Sequence, residues 1–476
     1  MTATVRLLRG AAIGGETLLL AWLVATEGLS GVGYIALGLL GVVFAAAITS
    51  MDWPFGAVLL LCACSAMPHF AGTVLGLHLR PEHVAIGFVG FAVCFQLFKQ
   101  RGRIELRLRT FDYFLIAYVA LNFFTSAVTS PQPLMTLRWA TLNAIAVSPY
   151  FLIRFLIKDE RGLHRTFQLL LWVGAVESVY GVLCFLSNHI FQTSVGVEVG
   201  QYGAIPGIYG TQFEANVFGS YTGCCAIMFL GYFLLSQEPR RAWYGWGFAI
   251  TTMAALVSLA RSVLLALPVA AALVIWVALK QGQLRIRRVV PLAVGVGLLL
   301  LAFSPIVMNL LRERFSTIDL SQISADDTTL SRLLQVAVAI EDVQARPMLG
   351  TGTASFHLFY DPNDYPAGFE GEAEEPGWIS NTPLRILHDT GVIGLMVFLL
   401  FVGYLAVAVR KAARNASARN TAILTALFAG GVLYAIAFQA SEATMLAFTW
   451  VHLGLLAAAV TILQQKRLNQ EASEAR

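Results

Sequence analysis

The chain has 476 residues, of which 57% are hydrophobic and only 13% charged, a balance no ordinary soluble domain can bury, so lipid is expected to solvate most of it. The formal net charge of +4 is spread over short loops and forms no single basic face, which argues against a nucleic-acid partner and makes the basic residues a report on topology. All six cysteines (Cys62, Cys64, Cys94, Cys184, Cys224 and Cys225) fall inside apolar runs, so neither a disulfide framework nor a zinc site in a loop is suggested.

In chain order, Arg6 and Arg9 precede an apolar stretch interrupted by Glu16, which reads as an uncleaved first span. Apolar runs of about 20 residues, the length that crosses a bilayer, then begin near Ala11, Gly31, Trp53, His83, Phe111, Leu137, Leu163, Gln212, Trp243, Ser262, Val289, Pro383, Thr421 and Ala443. The expected fold is therefore an all-α polytopic membrane protein of about fourteen transmembrane helices. With that number, the basic clusters (Arg6/Arg9, Lys99 to Arg109, Arg154 to Arg165, Arg240/Arg241, Lys280 to Arg288, Arg410 to Arg419, Lys466 to Arg476) fall on one side. The positive-inside rule makes that side the cytoplasm and puts both termini there, as expected of an inner-membrane protein.

The expected organisation is a bundle over 1–311, one large extracytoplasmic loop over 312–382, three further spans over 383–465 and a cytoplasmic tail from 466. In the loop, Leu330, Leu333, Leu334, Val338 and Ile340 recur at helical spacing and predict an amphipathic surface helix. The remainder, rich in Gly, Pro, Asp and Tyr, reads as an irregular cap. A second external segment, Asn188 to Gly210, is expected to fold against it. No internal repeat supports an inverted-repeat transporter.

An ionisable group near hydrocarbon costs at least a few kcal/mol, which makes each one a functional candidate. Arg261, in Ser258-Leu-Ala-Arg261-Ser262, sits at a tight external turn between two spans, where it either snorkels to the interface or binds a ligand. Arg332, Arg80, Arg138 and Arg385 also map to the external side. Arginines there oppose the topological bias, and a shared anion such as a pyrophosphate would suit their paired hydrogen-bond donors. Glu177 and Glu442 read as interhelical hydrogen-bonding groups in preference to a proton relay, while Glu214 beside Asn216 is set at an external span end. Trp53, Trp139, Tyr150, Trp243 and Trp378 read as interfacial anchors. No Gly-rich phosphate loop or His-Glu-x-x-His motif is present, and no cofactor or metal is expected.

Three stretches resemble the bacterial O-antigen ligase/polymerase family, integral-membrane glycosyltransferases of the GT-C type. These are Gly210-Thr-Gln-Phe-Glu-Ala-Asn216-Val-Phe-Gly-Ser220, Ser258-Leu-Ala-Arg261-Ser, and the long run from Ser331-Arg332 through Ala345-Arg-Pro347-Met-Leu-Gly350-Thr-Gly352 to Asn381-Thr-Pro-Leu-Arg-Ile-Leu-His-Asp-Thr-Gly391-Val-Ile-Gly394. The resemblance implies an undecaprenyl-diphosphate-linked glycan as donor, with a second glycan or lipid A core as acceptor. It also implies diphosphate binding by Arg261 and Arg332, with Arg80, Arg138, Glu214 and Asn216 as further substrate contacts. Where ligases of the family carry a histidine beside Asn381, this chain has Ser380, and a serine is no general base near neutral pH. His357 ranks first as a replacement base, ahead of Glu374, Glu375, Asp389 and His388. The expected activity is polymerisation of a surface polysaccharide or O-antigen, with ligation to lipid A core as the alternative. A lipid-linked glycan flippase is the reading from another class.

Overall fold

The computed structural model describes residues 53–69, 72–74, 77–99, 107–200, 203–237, 241–283, 327–359, 377–414, 416–442 and 444–474. The chain separates into two compact units, residues 1–104 and 105–476. The expected spans from Ala11, Gly31 and Val289 lie outside the described residues, as do Glu374 and Glu375 in the large loop.

In the first unit, helix α1 (Trp53–Ser65) packs on α2 (Pro81–Lys99), with a two-stranded hairpin of β1 (Gly72–Val74) and β2 (Leu77–Leu79) between them in sequence. At 13 residues α1 is about 20 Å long, short of a bilayer's hydrocarbon thickness. Arg80 faces the buried carboxylate of Glu82 at 3.4 Å, an ion pair inside this unit.

Among its described residues the second unit is helical apart from one hairpin. Its elements are α3 (Thr110–Val128), α4 (Pro133–Leu156), α5 (Glu160–Phe191), β3 (Val197–Gly200), β4 (Gly203–Ile208), α6 (Ala215–Leu235), α7 (Arg241–Val257) and α8 (Arg261–Lys280). Beyond the undescribed stretch come α9 (Asp327–Ala345), α10 (Ser355–Phe359), α11 (Thr382–Ala413), α12 (Ala418–Ala437) and α13 (Ala447–Glu474). Among the described residues of the whole chain, nine helices are long and apolar enough to cross a membrane, and the protein is multi-pass; α7, at 17 residues, is at the lower limit of spanning length. The expectation of fourteen spans is thus met only in part. The stretch expected to form an amphipathic surface helix is helical, as α9, and residues expected as a tail from 466 continue α13.

Local chemistry sets the helix ends. Asp159 caps α5 by accepting from the Gly162 amide at 2.7 Å, Ser417 caps α12, and Pro133 opens α4, where its missing N–H has no intrahelical role. The innermost helix is α6, every residue of whose apolar stretch is buried, with α5, α7, α8 and α12 packed around it. In contrast α11, against α3, leaves Met396, Leu399 and Tyr404 exposed, an apolar surface suited to lipid.

The helix directions give the unit two chemically distinct ends. At one, the basic end, Arg154 pairs with Asp112 and Lys466 with Glu160, while His164 bonds Asn420. The other, the loop end, gathers the hairpin, the α7–α8 turn, α9, α10 and the start of α11. The segment from Asn188 to Gly210, expected to fold against the large loop, carries a hairpin seated on α5 to α7: Val197 and Ile208 join Cys184, Phe185, Phe218, Met253 and Val257 in one buried cluster.

Candidate functional site at the loop end

Two sequence motifs, Pro347-Met-Leu-Gly350-Thr-Gly352 and His388-Asp-Thr-Gly391, form one interlocked structure. Helix α11 is broken at Gly391, whose φ of 67° and ψ of −173° are open almost only to glycine. A break leaves backbone groups without intrahelical partners, and the loop supplies them. The amides of Thr351 and Gly352 donate to the carbonyls of His388 and Asp389 at 2.9 and 3.0 Å, and those of Val392 and Ile393 donate to Pro347 and Met348 at 2.8 and 3.4 Å. The backbones approach so closely that a methyl on Gly391 would overlap the Met348 carbonyl, and one on Gly350 would overlap that of His388.

The short segment ahead of the break carries a buried charge network. Arg385 reaches Glu442 at 2.5 Å and Asp389 at 3.5 Å. Asp389 also accepts from the Ala354 amide at 3.0 Å and contacts His388 Nδ1 at 3.1 Å, while His388 Nε2 lies 3.0 Å from Asp342 on α9. Arg385, His388 and Asp389 are each at most 5% exposed, whereas the Asp342 side chain is 45% exposed, so the network runs from the surface inward. Removing one member of such a set strands the others, at a cost of about 3–5 kcal/mol. With both ring nitrogens engaged and the ring buried, His388 is closed to an acceptor hydroxyl in this arrangement.

Aromatic residues stand beside it. The His357 ring stacks on Trp378 with centroids 4.2 Å apart, Trp139 meets both edge-on, and the Arg385 guanidinium lies 5.1 Å from the Trp378 ring centre. Trp139 and Trp378, read from sequence as separate interfacial anchors, are thus one cluster, and His357 is a stacked member of it.

Of the other sequence-predicted residues, Arg261 heads α8 directly after the turn Ser258-Leu-Ala. That turn holds Leu259 in the left-handed region at φ 56°, a conformation that costs about 1–2 kcal/mol for a side-chain-bearing residue. Ser258 stabilises the turn by donating to the Ala255 carbonyl at 2.7 Å and accepting from the Ala260 amide at 3.3 Å. The turn is pressed against Gly219, near the start of α6. This brings Arg261, Glu214 and Asn216 to neighbouring helix starts, with Asn216 Nδ2 donating to Glu214 at 2.7 Å. Arg332 lies on α9, which packs on α11; one turn on, Gln335 accepts from the Ser380 amide at 3.2 Å. Arg138 is exposed beside Trp139. Arg80 belongs to the first unit.

Asn381, singled out by the family resemblance, has its side chain engaged locally. Its Oδ1 accepts from the Leu384 amide at 2.8 Å and its Nδ2 donates to the Gln439 carbonyl at 2.8 Å, so it caps α11 and ties it to the end of α12, a positioning role. Glu177 accepts from the Thr211 amide at 2.9 Å and the Thr211 hydroxyl at 2.7 Å, holding the Gly-Thr-Gln-Phe stretch that leads into α6. Sequence reasoning missed Asp342 and Glu198. Glu198, on β3, is half-buried; burial first and then the neighbouring Glu214 carboxylate push its pKa up to about 7, against the opposing hydrogen bond from the Ala215 amide.

No curated protein matches the chain. A family model described as O-antigen ligase (Wzy_C) matches residues 246–399, a stretch that runs from α7 through Arg261 and Arg332 to the interlocked loop and well past the break in α11. Over that stretch, about a third of its length, the chain is similar to the O-antigen ligase family.

Proposed function

We propose that the protein is a glycosyltransferase acting at its loop end, on the periplasmic face of the bacterial inner membrane with both termini cytoplasmic. It transfers glycan from an undecaprenyl-diphosphate donor to an acceptor sugar, most simply as a polymerase of surface polysaccharide or O-antigen. The observation that carries this reading is that the O-antigen ligase domain contains Arg261, Arg332 and every member of the interlocked charge network except Glu442, all within one unit and at one end of its bundle. In the reaction, an acceptor hydroxyl attacks the anomeric carbon, the bond to the diphosphate breaks, and the hydroxyl proton leaves to a base. Arg261 and Arg332 bind the diphosphate and stabilise the charge that grows on it as it departs. Arg138, Glu214 and Asn216 line the approach to that centre. Arg385 is committed to Asp389 and Glu442 and acts by holding the start of α11 in place. Gathering of polar groups at one end, away from the mid-depth binding groups a transporter needs, supports an enzyme over a flippase.

Ser380 in place of the family histidine supports polymerase over ligase. The family description itself, O-antigen ligase, keeps ligation to lipid A core as the second reading. Glycan ladders from a deletion strain separate them: single repeat units still attached to lipid A identify a polymerase, and loss of all attached glycan identifies a ligase. If Arg261→Ala and Arg332→Ala proteins insert normally and restore the full wild-type ladder, neither arginine serves the reaction.

A further inference from the structure

At the opposite, basic end a cavity of about 810 Å³ opens between the starts of α3, α5 and α12 and the ends of α11 and α13. Among the described residues, three cations line it, Arg109, Lys411 and Lys466, against one carboxylate, Glu160, which Lys466 already engages at 2.8 Å. Arg109 has a buried Nε with no hydrogen-bond partner, and Lys411 is exposed. The wall continuing along α11 is apolar and open: Tyr404 is 45% and Val407 51% exposed. An inorganic anion would use the cations and leave most of this volume and the wall empty. A headgroup phosphate with an acyl chain uses both, and basic pockets between membrane helices are suited to anionic headgroups.

We propose that this cavity is a binding site for an anionic phospholipid, its phosphate held by Arg109 and Lys411 and one acyl chain lying along Tyr404 and Val407. The site lies at the other end of the bundle from the glycan chemistry and does not depend on that reading.

The test uses the full-length protein in mild detergent, titrated with fluorescently labelled phosphatidylglycerol. Saturable binding is expected, weakened about fivefold by Lys411→Gln and again by Arg109→Gln, in line with about 1 kcal/mol per basic residue at a lipid headgroup. Lys280→Gln, at the same end but outside the cavity, should leave binding unchanged. Labelled phosphatidylcholine should bind more weakly and be indifferent to all three changes, and millimolar phosphate should not displace phosphatidylglycerol. Two results would overturn the proposal: Lys411→Gln protein binding phosphatidylglycerol as wild type does, or inorganic phosphate competing it away. Because Lys411 is exposed, its variant is expected to fold whether or not Arg109→Gln does.

Discussion

Replacing Gly391 with alanine tests whether the interlock holds the loop end together. At φ 67° and ψ −173° a side-chain-bearing residue costs about 1–3 kcal/mol in backbone strain. The new methyl would overlap the Met348 carbonyl, which is main chain and cannot rotate aside, so the 347–352 loop must retreat. The amides of Val392 and Ile393 then lose their acceptors on Pro347 and Met348, at about 1 kcal/mol each. The total is about 3–5 kcal/mol. Gly403 is the control: it lies in the same helix, a methyl placed on it would meet nothing within 4 Å, and alanine there should be neutral or stabilising by about 0.5–1 kcal/mol. Thermal unfolding of both purified variants in one detergent is the assay, with Gly391→Ala expected to melt several degrees below wild type and Gly403→Ala at or above it. If the two variants melt together, the loop does not brace the break and the argument for a rigid α11 start fails.

Arg385→Met should destabilise the protein by about 3–5 kcal/mol, because Asp389 and Glu442 are left buried without their cation; adding Glu442→Gln should recover part of the loss in the same unfolding assay, and no recovery would mean the pair is uncoupled. Arg261→Lys keeps the charge but not the paired donors, so transfer should fall about 100-fold or more with unfolding unchanged; undiminished transfer would remove Arg261 from the diphosphate site. The pKa of Glu198 is raised to about 7 from 4.5, so between those values the folded protein holds more protons than the unfolded chain, and stability falls as pH rises through that window. Glu198→Gln should flatten that slope and leave the variant the more stable above pH 7; parallel melting profiles for the two proteins would contradict it. In a Cys94→Ala background, a cysteine at Ser194 should label from the periplasm and one at Ser417 only after permeabilisation, the reverse pattern inverting the proposed topology.

Which of these features could be read from the sequence follows from the range over which each interaction acts. Span positions were legible because apolar runs and basic loops are local signals, and eleven of the expected starts correspond to described helices, α1 and α7 among them. The Pro-x-x-Gly-x-Gly and His-Asp-Thr-Gly motifs were visible too. Their interlock was not, since it consists of backbone hydrogen bonds between segments far apart in the chain. Trp139 and Trp378 carry the signature of interfacial anchors until the fold stacks His357 between distant elements. Asn381 is instructive: Asn followed by Thr-Pro at a helix start is a capping signal, and it makes that bond, whereas the family resemblance drew attention to it for another reason. Glu198 sits in Val195-Gly-Val-Glu198-Val-Gly, whose alternation announces a strand, but what shifts its pKa is tertiary: burial first, then the Glu214 carboxylate at the start of α6.

The break at Gly391 also explains how so much charge is carried by a helix that otherwise suits lipid. From Val392 to Ala413 the helix is about 33 Å long, enough by itself to cross the hydrocarbon core. Arg385, His388 and Asp389 therefore precede the apolar segment and need not be part of the crossing. An unbroken helix would carry the same three side chains in line with the span, with its own backbone bonds complete and no edge for the 347–352 loop to dock against. The glycine thus does two things at once: it ends the lipid-facing helix, and it exposes the carbonyls of His388 and Asp389 to Thr351 and Gly352. That second effect sets Ala354, next along the loop, to donate its amide to Asp389, coupling the position of the charge network to the backbone geometry of a single residue.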